Sequence, residues 1–480
     1  MKKLLLLILF SYLFPHTLLA DQLEKKKQLF AKWLYLNGYD QYLDKTGDPV
    51  DMMLDRSICT SMSTWDDCTD ADGKLIPTKD RKYTLIYPTN LKLKLNKKKA
   101  NLGYKSNPNR DTLIYYLWHY SYRPKFMGDD PNKVKFHEIK HSNEPYEFKF
   151  NLIEDKFVKK QMKTKGILSY LYFQDGKVLI DEISPKERLG EFIKEDTKFI
   201  SMSMNKSVTS YILGHAICEG YIDSIDSTIN DWPIIQNSLY YNQKLINFLN
   251  MNTGDQKYIN EFTHPHGTPI ANSSYSFEDE NIQRTIKQYF QDSVPSKKIY
   301  NYNGFLPQLI LNYVHYKTGD DFKKLLNTIF KDKIKIKHSI TINKSHHNSK
   351  LKSGGLHPMI KATRYDYLRL AKAIMDDYQN DTCVGKYLKE IHKRRIPKKY
   401  NENKHEPAFN RTKSYGGYFH MDYPGLKNKV VFGMGGYGGR AILIDMENSR
   451  IVVLNSLHYN NTKYKYNVKK LLIDPIKKGK

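Results

Sequence analysis

A serine-rich segment directly before an apolar helical run is the feature that most limits what this chain can fold into. Residues Ser201–Ser207 read S-M-S-M-N-K-S, apolar residues recur at helical spacing over Val208–Ile217, and Gly220 can end that helix. Positions i and i+3 share one face of a helix, so the hydroxyl of Ser203 and the amine of Lys206 can come within hydrogen-bond distance.

A serine hydroxyl beside a lysine amine is typical of a nucleophile with an attached base. A desolvated lysine crowded by positive dipoles has a lowered pKa and can accept the serine proton. If Ser203 begins the helix, its backbone N–H also points toward negative charge that develops on a substrate carbonyl. S-x-x-K matches by chance in many long chains. The alternative is an ordinary helix start, and the choice depends on partners elsewhere in the sequence.

Residues 1–20 have the pattern of a secretory signal peptide. A basic start at Met1–Lys3 precedes the apolar run Leu4–Leu13 and a small-residue exit at Ala20. We therefore expect an exported protein, periplasmic or secreted. Leu18 makes the cleavage site imperfect, so an uncleaved N-terminal anchor is the alternative. No later stretch approaches ~20 apolar residues, so no membrane span is predicted in the mature chain.

The formal net charge of +26 raises the question of a nucleic-acid partner. The lysines, however, are scattered among Asn, Tyr and Ile, and the short runs Lys97–Lys99 and Lys393–Arg395 do not build one aromatic-studded stripe. We interpret them as a solvated surface and expect no nucleic-acid partner. A length of 480 residues, of which 40% are hydrophobic, predicts two or three folded domains. The sequence does not indicate the oligomeric state.

The four cysteines show no zinc-ligand spacing. Cys59 and Cys68 lie close together in an acidic segment, where a small disulfide loop and two free thiols are equally good interpretations. Cys218 falls in the apolar helix and is interpreted as a buried hydrophobic residue, and nothing assigns Cys383. A calcium loop starting at Cys68 would place Lys79 where a bidentate Glu is required. We expect no metal and no other cofactor.

The pattern of the chain changes at about residue 146. Residues 21–145 form an N-terminal region of unknown role, with strand-like patches that indicate folding. Residues 146–475 are predicted to begin with a helix over Phe148–Met162, followed by two strands joined at the hairpin turn Asp175-Gly176. This order predicts a mixed α+β domain. The polar stretch 255–298 is predicted to form surface loops near a site.

Two later segments could supply partners for Ser203. The residues Tyr300-Asn-Tyr302-Asn-Gly304 place polar side chains directly before an apolar helix that ends at Thr318-Gly319. A tyrosine there could lie beside the lysine amine and relay the serine proton. The glycine-rich segment Gly433–Gly439 precedes the strand Arg440–Asp445, and glycines at a strand edge let a ligand approach the backbone closely.

With these segments in order, residues from about 150 to 470 resemble the serine β-lactamase and penicillin-binding-protein superfamily. The resemblance is strongest to its β-lactamase-related branch, which contains class C β-lactamases, family VIII esterases, D-amino-acid peptidases and 6-aminohexanoate-dimer hydrolases. The superfamily is marked by S-x-x-K, then Y-x-N or Y-x-S, then K-T-G or H-x-G on a strand. Ser203–Lys206 matches the first motif. Asn250–Gly254 is similar to the family's N-M-T-S-G turn, Ser353–Leu356 to its S-G-G-L segment, and Ala362–Asp366 to its A-T-x-x-D segment.

The other two motifs depart from the family pattern. Counting back from the end of the following helix places the family's catalytic tyrosine on Tyr302, with Tyr300 as the competing choice. Gly304 stands where Asn or Ser is usual. Met434 stands where Lys or His is expected, which removes the side-chain cation that would hold a substrate carboxylate. This difference puts β-lactamase and penicillin-binding activity in doubt more than hydrolysis itself.

The resemblance implies an α+β fold with an antiparallel sheet flanked by helices and a helical subdomain, in addition to the N-terminal region. It also implies acyl transfer, in which Lys206 and Tyr302 activate Ser203 for attack on an ester or amide carbonyl. The N–H groups of Ser203 and Tyr437 would form the oxyanion hole. The residues expected at the oxyanion hole and substrate site are Ser203, Asn303, Met434, Gly435, Gly436 and Tyr437.

Three functions remain open on the sequence alone. The leading one is an exported serine hydrolase that acts on a small-molecule or peptide-like ester or amide. The second is a D-amino-acid peptidase, a penicillin-binding protein or a β-lactamase, which Met434 disfavours. The third is a non-catalytic binding protein on the same scaffold, and the intact Ser203, Lys206 and Tyr302 weigh against it.

Overall fold

The computed structural model describes only part of the chain. Outside the described residues lie the predicted signal peptide 1–20, nearly all of the region 21–145, Cys59 and Cys68, Ser353–Gly355, most of 255–298, and Tyr437. The described residues are 107–113, 135–256, Ile282, Ile286, 290–344, 356–398, 412–426, 428–436, 438–457 and 465–480.

The described part of the chain alternates strands and helices. The strands are β1 (Lys135–Ile139), β2 (Lys149–Phe150), β3 (Ile167–Gln174), β4 (Lys177–Ile183), β5 (Lys198–Ile200), β6 (Thr228–Ile229), β7 (Gln243–Lys244), β8 (Ile340–Lys344), β9 (Leu356–Thr363), β10 (Ile396–Pro397), β11 (Ser414–Gly416), β12 (Phe419–Met421), β13 (Val431–Gly436), β14 (Arg440–Asp445) and β15 (Arg450–Ser456). The α-helices are α1 (Lys156–Thr164), α2 (Met204–Cys218), α3 (Leu245–Leu249), α4 (Phe305–Thr318), α5 (Phe322–Asn327), α6 (Arg364–Gln379), α7 (Cys383–Lys393) and α8 (Asp474–Lys478).

Most of these strands belong to one large sheet. Among the described residues it has nine strands in the spatial order β10-β11-β12-β13-β14-β15-β3-β4-β2. Its strand pairs are antiparallel except β2 with β4, which is parallel. A smaller antiparallel sheet has the order β1-β8-β9-β5. Its strand β5 leads directly to the turn before α2, so the two sheets meet near Ser203.

The middle strands of the large sheet are apolar on both faces because helices cover both sides. Along β14, Ile442 and Ile444 point into the core beneath α2 and α6, whereas Ala441 and Leu443 belong to a second apolar cluster beneath α1 and α8. Side chains on a strand alternate between faces, so an unbroken apolar run is expected where both faces are buried. This arrangement confirms the predicted α+β class.

The predicted hairpin and helix ends are confirmed. Asp175 and Gly176 join β3 to β4 with φ angles of 46° and 82°, the left-handed values that a two-residue hairpin turn needs. Gly220, with φ 80°, follows the end of α2, and Gly319, with φ 54°, follows the end of α4. Glycine adopts these conformations without the steric cost that a side chain brings.

The helix predicted over Phe148–Met162 is wrong in its first half. Residues 149–150 form β2, and α1 begins only at Lys156. The backbone N–H groups of Asn151 and Ile153 donate to carbonyls on β4, which keeps this segment extended. Asp155 then caps the helix, its Oδ1 accepting from the N–H of Val158 at 2.9 Å.

A disulfide joins the last residue of α2 to the first residue of α7. The bond links Cys218 to Cys383, whose Cα atoms lie 5.8 Å apart and which are 165 positions apart in the chain. The interpretation of Cys218 as a buried hydrophobic residue is therefore wrong, and Cys383 gains an assignment. The two helices also meet where the hydroxyl groups of Ser210 and Tyr387 share a hydrogen bond of 2.9 Å.

In the part of the chain that the structure describes, no helix combines the length and the apolar character that a membrane span requires.

The disulfide is expected to stabilise the domain by about 2–4 kcal/mol, because it restricts a long loop in the unfolded chain. Cys218→Ser with Cys383→Ser should lower the free energy of unfolding by that amount in urea titrations. Reduction of the wild-type protein should lower the free energy of unfolding by a similar amount. In the double variant the same reductant finds no bond between positions 218 and 383 and should not cause this loss. Equal unfolding midpoints for oxidised wild type and double variant would contradict the bond.

Candidate active site

The chain makes a strained turn directly before α2. Met202 has a φ of 48°, a left-handed conformation that residues with a side chain seldom adopt. The N–H groups of Met204 and Asn205 donate to the carbonyls of Ser201 and Met202 at 3.2 and 3.1 Å. These bonds wind the first turn of the helix and place Ser203 at its N-cap position, where the backbone N–H groups of the helix start converge.

The side chains of Ser203 and Lys206 meet on this first turn. Nζ of Lys206 donates to Oγ of Ser203 over 3.0 Å. Lys206 is only 7% exposed, and nearly every residue of α2 around it is buried. The helix thus carries a hydroxyl and an amine in direct contact at the edge of the core.

Of the two candidate tyrosines, Tyr302 lies beside the lysine. Nζ of Lys206 is 4.8 Å from the centroid of the Tyr302 ring. Tyr300 instead packs against Tyr415, with ring centroids 5.1 Å apart. The segment before α4 therefore brings Tyr302 to Ser203 and Lys206, and it turns Tyr300 toward β11.

Asn303 holds this segment in place from the inside. Its Oδ1 accepts from the N–H groups of Phe305 and Leu306, each at 3.0 Å, as a helix-capping side chain does. Its Nδ2 donates to Oδ2 of Asp255 at 3.3 Å and to the carbonyl of Asn301 at 3.2 Å. The side chain that we expected at the substrate site is thus engaged in fixing the backbone next to Tyr302.

Asp255 is a buried carboxyl group that the sequence did not single out. It is 1% exposed and accepts a hydrogen bond from the hydroxyl of Tyr240 at 3.1 Å. Burial raises the pKa of its carboxyl to about 6, although the hydrogen bond from Tyr240 acts in the opposite direction. Its position directly after the Asn250–Gly254 turn was the only available signal.

The glycine-rich segment contributes a strand edge that touches the turn before Ser203. Gly436, at the end of β13, has no room for a side chain, since an added Cβ would lie 2.8 Å from the carbonyl oxygen of Ser201. Met434 is fully buried in the same strand and carries no charge. Gly435 lies between them on β13. Tyr437, the expected second oxyanion donor, lies outside the described residues.

A histidine that the sequence did not predict stands next to Tyr302, and a lysine contacts that histidine. The ring of His420, on β12, stacks on the Tyr302 ring with centroids 6.3 Å apart and an interplanar angle of 27°. Nζ of Lys398 lies 2.8 Å from Nδ1 of His420. Burial, followed by the charges of Lys398 and Lys206, holds the pKa of His420 well below its usual value. No sequence motif connects these positions.

Among the described residues, no group of three or more His, Cys, Asp or Glu side chains could hold a metal ion. The arrangement brings together the hydroxyl of Ser203, the amine of Lys206 and the ring of Tyr302. Such a set is suited to acyl transfer.

No family model and no curated protein sequence matches the chain. Solved structures resemble it. A Bacillus anthracis protein provisionally named as a 6-aminohexanoate-dimer hydrolase is 13% identical, with 75% of this chain and 94% of that chain covered and a TM-score of 0.51. A class C β-lactamase in complex with cefoxitin is 12% identical over 65% of this chain and 94% of that chain, with a TM-score of 0.44. FmtA from Staphylococcus aureus is 14% identical over 71% of this chain and 94% of that chain, with a TM-score of 0.43.

The first of these likenesses shows the fold. The chain has the mixed α+β fold of that structure, which agrees with the fold class that the resemblance implied.

Replacement of the two tyrosines should separate their roles. Tyr302→Phe removes the hydroxyl of the ring beside Lys206 and should lower kcat for a nitrophenyl ester by about 100-fold or more, the usual scale of a lost proton-transfer group. Tyr300→Phe is the matched control and should change kcat much less. A larger loss of kcat in Tyr300→Phe than in Tyr302→Phe would assign the proton-relay role to Tyr300 instead.

The Asp255 carboxyl should make stability depend on pH. Its folded-state pKa of about 6 lies above its ordinary value of 3.8, so the folded protein holds the proton more tightly. This stabilisation is complete below about pH 4 and is lost as the pH rises through 6, a change of about 3 kcal/mol. Relative to wild type, Asp255→Asn should therefore gain stability between pH 4 and pH 8 in urea unfolding.

Asp381→Asn is the control for this comparison, since Lys389 lowers the pKa of that exposed carboxyl. A difference between wild type and Asp255→Asn that stays constant from pH 4 to pH 8 would show that Asp255 does not titrate near 6.

Proposed function

We propose that this protein is a serine hydrolase that cleaves an ester or amide bond through an acyl-enzyme on Ser203. The observation that carries the proposal is the 3.0 Å contact between Nζ of Lys206 and Oγ of Ser203 at the start of a buried helix. The fold supports it, because the similar structures include proteins named as a hydrolase and a β-lactamase.

In the first half-reaction, the neutral amine of Lys206 takes the hydroxyl proton of Ser203. Oγ then bonds to the substrate carbonyl carbon, and the carbonyl oxygen becomes an oxyanion. The N–H of Ser203 points from the helix start toward that oxygen, and the N–H of Tyr437 would be the second donor. Each such donor typically contributes about 3 kcal/mol to the transition state.

Collapse of this intermediate breaks the bond to the alcohol or amine leaving group. The leaving group takes a proton from the Lys206 ammonium, with the phenol of Tyr302 as the relay, and the acyl group stays on Oγ. In the second half-reaction, water gives its proton to the same pair and attacks the acyl carbon. The acid is released, and Ser203 regains its proton.

The environment of Lys206 suits a base. Burial keeps the Lys206 amine away from bulk water and in direct contact with Oγ of Ser203. The hydrogen bond to Ser203 aligns that amine with the proton it takes. The positive charge formed by proton transfer lies over the face of the Tyr302 ring, which attracts cations.

Met434 limits the substrate class. A buried thioether at this point of β13 supplies no charge for a substrate carboxylate, so we propose a neutral ester or amide group at this position rather than a penicillin. We further propose export, as residues 1–20 indicate. The Cys218–Cys383 disulfide supports it, because such bonds persist in oxidising compartments.

A fluorophosphonate probe tests the nucleophile directly. Wild type should be labelled on Ser203, and Ser203→Ala should lose both the label and the hydrolysis of a nitrophenyl ester. Ser207→Ala is the matched control one turn along the same helix, since its Oγ donates to the Tyr418 carbonyl at 2.7 Å and should not react. Equal labelling of wild type and Ser203→Ala would overturn the assignment. Absence of both labelling and hydrolysis in folded wild type would favour a binding protein.

A further inference from the structure

We propose that Lys398 and His420 form a pair that positions Tyr302 and supplies positive charge to the Ser203–Lys206 site. This inference rests on the proposed hydrolase function and adds two residues to it. Lys398 acts through His420, so it is a positioning residue rather than a group that touches the substrate.

The first support is a continuous line of contacts. Oγ of Ser203 accepts from Lys206 at 3.0 Å, and Nζ of Lys206 lies 4.8 Å from the Tyr302 ring centroid. The Tyr302 ring stacks on His420, whose Nδ1 lies 2.8 Å from Nζ of Lys398. The pair therefore contacts Tyr302 through His420, and Tyr302 in turn lies beside Lys206.

The second support is the way in which the pair is built into the fold. Lys398 follows the end strand β10, and His420 lies on β12 opposite Gly433 of β13. Lys398 is 8% exposed and His420 is 5% exposed. Long charged side chains are rarely buried this far, and a buried ammonium needs a specific acceptor. The imidazole nitrogen of His420 provides one.

This contact also fixes the chemical form of the histidine. The Lys398 ammonium can only donate, so Nδ1 of His420 accepts with its lone pair. The ring is then neutral, and its proton is on Nε2. Burial and the charges of Lys398 and Lys206 keep the pKa of His420 well below its usual value, which agrees with the neutral form. A neutral ring can stack on Tyr302 without adding a further charge.

Two lysines among the described residues act on His420, and both carry positive charge. Among the described residues, His420 is faced by Lys398 after β10, Lys206 on α2, Tyr302 before α4 and Tyr415 on β11, and Lys398 in turn lies over the rings of Tyr300 and Tyr415. The adjoining residues of β13, Gly433 and Met434, are uncharged. The Lys398 ammonium, which lies beyond the His420 imidazole, therefore supplies a positive charge from the end of β10. Met434 on β13 supplies none.

The effect on proton transfer has a definite direction. A nearby positive charge lowers the proton affinity of both the Lys206 amine and the Tyr302 phenol, so the form that accepts the Ser203 proton is available at lower pH. Loss of the Lys398 charge should move the acid limb of the pH profile to higher pH. For unit charges several ångströms apart in a protein interior, this shift is about 0.5 to 1 pH unit.

The test compares Lys398→Met with Lys398→Arg. Lys398→Met should shift the acid limb of kcat/KM for nitrophenyl acetate upward by about 0.5 to 1 pH unit, which is a three- to tenfold loss on that limb. The pH dependence of fluorophosphonate labelling at Ser203 should shift by the same amount. Lys398→Arg keeps the charge and should keep the limb near its wild-type position. Lys389→Met, which removes an exposed lysine paired with Asp381, is the control for a lost surface charge.

A second measurement does not depend on catalysis. In 15N-histidine NMR, the wild-type His420 signal, assigned by its loss in His420→Asn, should stay neutral with the proton on Nε2 well below the pH at which an ordinary histidine titrates. In Lys398→Met the same ring should titrate at higher pH. If Lys398→Met does not fold, His420→Asn serves instead: it keeps an acceptor for Lys398, removes the stacking on Tyr302 and should lower kcat more than KM changes.

The outcomes separate the two proposals. If wild type labels on Ser203 but the pH profiles and the His420 titration are unchanged in Lys398→Met, the inference is overturned and the hydrolase function stands. If folded wild type neither labels nor hydrolyses esters, the proposed function fails, and a catalytic role for the pair fails with it. A shifted His420 titration would then show only an electrostatic contact between the two residues.

Discussion

A lysine amine held inside the protein is the constraint on which the rest of the site depends. Lys206 is nearly buried, and its Nζ reaches Oγ of Ser203. An amine in such a place must be met by hydrogen-bond acceptors and polarisable groups, because an isolated charge in the interior is costly. The neighbouring elements meet this need, because α2 presents the serine hydroxyl and the segment before α4 presents the Tyr302 ring. Strand β13 approaches the turn before α2 at Gly436, where there is no side chain.

The backbone around this amine is unusually well fixed. Met202 takes a left-handed conformation, Gly436 leaves no space beside Ser201, and the Asn303 side chain holds the start of α4 from within. Strain and close approach of this kind persist only where the surrounding structure maintains them. The surrounding structure therefore fixes the backbone at the site, and the backbone in turn fixes where the side chains of the site lie.

The sequence predicted what depends on short-range pattern. The contact between Ser203 and Lys206 follows from helical spacing, the β3–β4 hairpin from Asp175-Gly176, and the fold class from the order of motifs. It did not predict what depends on chain folding. Cys218 pairs with a residue in another helix, His420 meets Tyr302 only because β12 comes beside it, and Lys398 meets His420 from the end of β10. No sequence pattern marks Asp255, because it is burial in the folded chain that raises the pKa of its carboxyl. The role of Tyr437 stays a prediction.

The disulfide has a topological consequence. The polypeptide from Cys218 to Cys383 is closed into a covalent ring, and this ring contains the entire segment that carries Tyr302. A protease that cuts once anywhere inside the ring opens it without releasing a fragment, because both ends stay attached through the two sulfur atoms. A chain that is nicked once in that span therefore keeps Ser203, Lys206 and Tyr302 as parts of one molecule.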